Sequence, residues 1–117
     1  MKDDYSAKFV WDARHTGQRA LRFTDGRRYD DYLDDELLRS AVERQLSIIG
    51  EAFAQVRRID PAVADAIPNM PQIFAFRDIL IHDYTGIDDT LVWKAIQIDL
   101  PKLVESLDRL LAEYGPA

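Results

Sequence analysis

Apolar residues recur along this chain at the three- and four-residue steps that put side chains on one face of a helix. The clearest stripe runs through Leu37, Leu38, Ala41, Val42, Leu46, Ile49, Ala52, Phe53 and Val56. It predicts a helix capped by Asp34 or Asp35 and continuing to about Arg58. An earlier stripe, Phe9, Val10, Ala13, Ala20 and Leu21 with Trp11, predicts a first helix over about Ser6 to Phe23 that closes at the Asp25-Gly26 turn signal. Gly17 lies inside that helix against its propensity. Arg27 to Asp34, with Tyr29 and Tyr32 in an acidic setting, reads as a connector. Asp60-Pro61 is an N-cap followed by proline at the first helical position, so Pro61 to Ala66 forms a short extra turn before Pro68 stops it. A further helix is expected from Asn69 or Met70 to Gly86, and a last one from an Asp88 cap to about Glu113, kinked or split near Leu100 by Pro101. No period-two alternation lasts long enough for a strand, so the fold class is all-α.

Within this pattern one segment breaks its own rule. From Ile73 to Ile81 the run Ile-Phe-Ala-Phe-Arg-Asp-Ile-Leu-Ile leaves no polar face for a helix, yet it holds Arg77 and Asp78, with His82 and Tyr84 just beyond. Burying an ionised group without a partner costs several kcal/mol, about the net stability of a small domain, so these residues belong at an interface or in a wet cleft. Asp78 and His82 are i and i+4, which lets the carboxylate orient the imidazole and favour its protonated form. His82 lies about 140° around the axis from Arg77, so their convergence relies on the reach of the arginine or on a second subunit. An arginine that holds phosphate and a histidine that moves a proton are what RNA cleavage by internal attack of the 2′-hydroxyl requires.

The pattern Arg77-Asp78-x3-His82-x-Tyr84 resembles the R-x4-6-H signature of the HEPN superfamily, with the HxY extension of HepT-like toxins. Two other segments are similar in the same order: Ile48-Ile49-Gly50-Glu51-Ala52, and Asp89 through Pro101 with its tryptophan and Asp-Leu-Pro. The resemblance covers roughly residues 5 to 112. It implies a four-to-five-helix up-and-down bundle, a homodimer, and endoribonuclease activity without a metal. Arg77 and His82 are then the catalytic pair, with Asp78 in support. It also implies a partner, a minimal MntA-like nucleotidyltransferase antitoxin that transfers AMP to Tyr84.

The bulk properties permit this reading. The 117 residues fit a single domain with a four-helix core and much surface left over, to which a dimer interface would add burial. There are no cysteines and two histidines, so neither a thiolate zinc site nor a histidine metal cluster is available. Acidic residues near the start and no membrane-length apolar run predict a soluble cytoplasmic protein. The net charge of −6 argues against a general nucleic-acid binder. Any RNA site must be local, built on Arg77 from two subunits with Arg57 and Arg58 as candidates to extend it, while the acidic exterior suits a basic protein partner.

Bland roles compete for the same residues. Arg77 and His82 also fit a structural ion pair and an interface histidine, Asp78 fits a partner for Arg77 or Lys94, and Tyr84 fits a core-edge aromatic. Gly50 reads as close helix packing, and Glu51 either bonds near the arginine or faces solvent. His15 reads as a surface or helix-packing residue. Trp93, Tyr29 and Tyr32 read as core and interface aromatics before base-stacking platforms. The acidic clusters Asp30-Asp31 and Asp34-Asp35-Glu36 are explained by helix N-terminal charge. The main alternative function is a non-catalytic helical binding module that docks a nucleotidyltransferase and serves as its acceptor.

Overall fold

The structure, a computed structural model, describes residues 4–68, 71, 72 and 88–113. It is all-α, as the periodicity requires, with no strand among the described residues. Helices α1 (Asp4–Thr24) and α3 (Glu36–Ile59) are long; α2 (Tyr29–Asp34) and α4 (Pro61–Asp65) are short. The C-terminal part runs as α5 (Asp89–Lys94), a π turn (Ala95–Asp99) and α6 (Leu100–Ala112).

Helix α1 packs along α3 and against α6, while α2 bridges α3 and α5. Each long helix contributes the stripe its sequence announced. Val10, Ala13 and Ala20 of α1, Val42, Ile49, Phe53 and Val56 of α3, and Leu100, Leu103, Leu107 and Leu111 of α6 are buried together. Nonpolar burial at about 25 cal/mol per Å² is the term that holds these three helices together. Polar contacts fix their register: Arg14 of α1 pairs with Asp108 of α6 and lies over the Trp11 ring, and Arg19 donates to the buried Gln45 of α3 at 3.3 Å.

The helix ends follow local chemistry. Gly26 takes the left-handed φ of 72° that stops α1 two residues after Thr24, a conformation that costs glycine little. Of the two candidate caps, Asp35 starts α3, accepting the Leu38 N–H at 3.0 Å from an extended backbone. Asp60 precedes Pro61 as expected, but it caps through its backbone carbonyl, which accepts from Val63 and Ala64, and not through its carboxylate.

Two features depart from the sequence reading. The stretch read as a connector contains α2, which is begun by Asp31 accepting the Arg28 N–H at 2.8 Å and anchored by the wholly buried Tyr32. Six residues are too few to show a period, and tertiary burial supplies the stability that propensity does not. The break expected at Pro101 takes the form of a π turn, with the Leu100 N–H bonded to the Ala95 carbonyl. Pro101 has no N–H and its ring crowds the carbonyl four residues back, so the wider turn carries the chain past it without ending the helix. The helix expected from Asn69 or Met70 to Gly86 lies outside the described residues, except for Pro71 and Gln72, which are helical and exposed.

Gly17 has a packing reason. A Cβ there would stand 2.9 Å from Val104 Cγ2, closer than real Cβ contacts come, with Leu100 Cδ1 at an ordinary 3.4 Å. Gly17→Ala gains roughly 1 kcal/mol of helix propensity and loses about 1–3 kcal/mol to overpacking against a valine whose χ1 is stiff. The expected result is a net loss of stability in urea unfolding. Gly17→Ala with Val104→Ala should lose less than the sum of the two single changes; strict additivity would mean that α1 and α6 do not touch there.

Candidate functional site

Arg77, Asp78, His82 and Tyr84 all lie outside the described residues. The structure describes the frame that receives the chain four residues after Tyr84. Asp88 returns as the N-cap of α5, its carboxylate accepting from the Thr90 N–H at 3.0 Å and from Leu91 at 3.4 Å. A helix of six residues is not stable alone, so α5 depends on its neighbours. It is tied to α2 by a hydrogen bond between the Tyr29 and Thr90 hydroxyls at 2.9 Å. It is tied to α3 by Asp89, whose carboxylate lies 4.0 Å from Arg39 Nε. Trp93 completes the seam, with its ring 5.3 Å from that of Tyr32 and 6.2 Å from that of Tyr29.

The seam is electrostatically unusual. Burial, the neighbouring Asp89 and the weaker counter-pull of Arg39 hold the Glu43 carboxyl above the ordinary carboxylate range. Burial and the nearby negative charges likewise push the Tyr32 hydroxyl above the ordinary phenol range. That hydroxyl is fully buried and has no hydrogen-bond partner among the described residues. Arg39 reaches back as well, donating to the carbonyls of Tyr32 and Leu33 at the end of α2.

The other residues singled out by sequence fall mostly to their bland readings. Glu51 is exposed, Gly50 is buried in α3, and His15 is exposed on α1. Tyr32 is buried in the core with Trp93 against it, so its own ring is not a free stacking face. Arg57 and Arg58 are exposed in the last turn of α3, where cations favour the helix dipole, and Arg58 bonds Gln55. Asp31 and Asp35 serve helix starts, as the charge pattern implied. Sequence reading missed the Arg39–Glu43–Asp89 group. Arg39 and Glu43 at i and i+4, on the margin of the α3 stripe, were the available signal.

The chain belongs to the Ribonuclease HepT-like family, whose sequence profile matches residues 14–110, a span that includes both the described frame and the four motif residues. It is 34% identical over 102 residues to "Putative RNase MJ1380" of Methanocaldococcus jannaschii, covering 86% of this chain and 91% of that one. It is also 34% identical over 82 residues to "Probable ribonuclease HepT" of Thermococcus cleftensis, covering 70% of this chain and 74% of that one. No solved structure matches the chain. Among the described residues, no helix is long and apolar enough to cross a membrane.

Proposed function

We propose that this chain is the toxin subunit of a HepT/MntA-like toxin–antitoxin pair, an endoribonuclease that works without a metal and is silenced by AMP transfer to Tyr84. The observation that carries the reading is the family match, which spans the motif residues together with the helices around them. The names of the relatives support its ribonuclease part.

In this reading the protein acts as a homodimer. Two Arg77 side chains across the dimer cleft hold the scissile phosphate and stabilise the charge that grows on it during attack. His82 takes the proton from the 2′-hydroxyl or gives one to the leaving 5′-oxygen, and Asp78 orients its ring. The products are a 2′,3′-cyclic phosphate and a 5′-hydroxyl end. Cleavage is confined to a local cationic cleft because the chain as a whole carries a net charge of −6. AMP on Tyr84, two residues from His82, places a phosphate where the RNA phosphate binds, so it repels substrate and pairs with Arg77.

The test uses the protein incubated with ATP, magnesium and its nucleotidyltransferase partner, followed by intact-mass measurement. Wild type is expected to gain one or more AMP units and to lose cleavage of RNA. Tyr84→Phe removes the acceptor oxygen, keeps the ring, gains no mass and stays active in the presence of the partner. AMP still added to the Phe variant would move the acceptor to another of the tyrosines, Tyr5, Tyr29, Tyr32 or Tyr114. No mass gain in wild type would remove the partner class from the proposal.

A further inference from the structure

Among the described residues, the seam between α2, α3 and α5 sets one cation, Arg39, beside two carboxylates, Asp89 and Glu43. Arg39 is already committed to the end of α2 through the Tyr32 and Leu33 carbonyls, and it faces Asp89 of α5. Glu43 stands one turn further along α3 on the same side as Arg39, half-buried, and feels both Arg39 and Asp89. The wholly buried Tyr32 hydroxyl lies in the field of the same two carboxylates. Two carboxylates flanking one guanidinium, all three only partly exposed, leave an excess of negative charge that favours a proton on one carboxylate.

We propose that Glu43 is a protonation switch on the joint that fastens α5 to the body of the protein, and so on the anchor at which the motif-bearing segment 73–87 ends. With Glu43 protonated, Arg39 pairs with Asp89 alone and α5 is held. When Glu43 releases its proton to solvent, its carboxylate competes for Arg39 along α3 and repels Asp89, and the grip of α3 on α5 weakens.

The direction of the pH effect follows from the charges. Glu43 is held above the range it has in an unfolded chain, so its contribution to stability is full below that range and is lost as pH rises through its folded-state titration. Among the described residues, the charged groups acting on it are Arg39 of its own helix and Asp89 of α5, with Tyr32 of α2 the titratable group beside it.

The experiment combines carbon NMR titration of the side-chain carboxyls with amide hydrogen exchange of residues 91–94 at a series of pH values, corrected for intrinsic rates. In wild type, Glu43 should titrate above the ordinary glutamate range, and protection of α5 should fall through that titration, by up to about tenfold per pH unit of the rise. Glu43→Gln should keep α5 protected throughout. Asp89→Asn should bring the Glu43 titration down. Overturning results are a Glu43 titration in the ordinary range, the same loss of protection in wild type and Glu43→Gln, or weaker protection in Glu43→Gln at neutral pH. The last would make ionised Glu43 a stabilising partner of Arg39. All these readouts are independent of RNA cleavage, so the switch stands or falls apart from the proposed activity.

Discussion

Arg77→Ala and His82→Ala are each expected to lower RNA cleavage by roughly 10² or more, the scale on which a phosphate-stabilising cation and a general acid–base group contribute. Combining the two should cost much less than the product of the single effects, because both act on the same transition state and residues that work as a unit are not additive. Thermal unfolding should confirm that both variants fold. The decisive material is highly purified His82→Ala protein assayed on the same RNA as wild type. Undiminished cleavage would assign the activity to a contaminant and favour the reading of this chain as a binding module that serves only as an acceptor.

The second large effect concerns the core. Phe53 is wholly buried on α3 in the cluster shared with α1 and α6, and its removal leaves a hole that close-packed neighbours fill only in part. Phe53→Ala should therefore cost about 3–5 kcal/mol in urea unfolding, a large share of the roughly 5–15 kcal/mol that a domain has in total. The contrast is Leu37, one of the apolar residues in the same predicted stripe, which is 80% exposed. Leu37→Ala should change stability by no more than about 0.5 kcal/mol. A loss at Phe53 as small as that at Leu37 would mean that α3 does not face the core as described.

That contrast marks how far the sequence could be read. Period alone placed α1, α3 and the C-terminal helical region to within a few residues, because each buries one continuous face. Caps with a dedicated side chain, such as Asp88, were visible because the residue type itself supplies the acceptor for the first free N–H groups. Leu37 satisfies the α3 pattern and yet is exposed, since a pattern reports which residues share a side and not how far a neighbouring helix extends over it. The helix α2 was hidden because its stability comes from Tyr32 docking on Trp93, 61 residues away in the chain. The purpose of Gly17 needed Val104, on another helix. At the candidate site the residue types of Arg77, Asp78, His82 and Tyr84 were legible and their family resemblance correct at the level of the Ribonuclease HepT-like family. The titration of Glu43 was not, because burial and the approach of Asp89 from α5 are properties of the folded chain.

The π turn has a consequence for how the two ends of the C-terminal helical region are aimed. Val92, Ile96 and Leu100 are all buried, at successive steps of four residues. In an unbroken α-helix each such step overshoots a full turn by about 40°, so three residues so spaced would spiral off any common line by about 80°. Between Ile96 and Leu100 the chain spends extra backbone per turn and takes up that overshoot. The turn thus behaves as a clutch between two gears. The bearing of α6 is set by α1, that of α5 by α2 and α3, and one residue more or less within Ala95–Asp99 would swing the Asp89 and Trp93 side by about 100° while the α6 seam stays engaged.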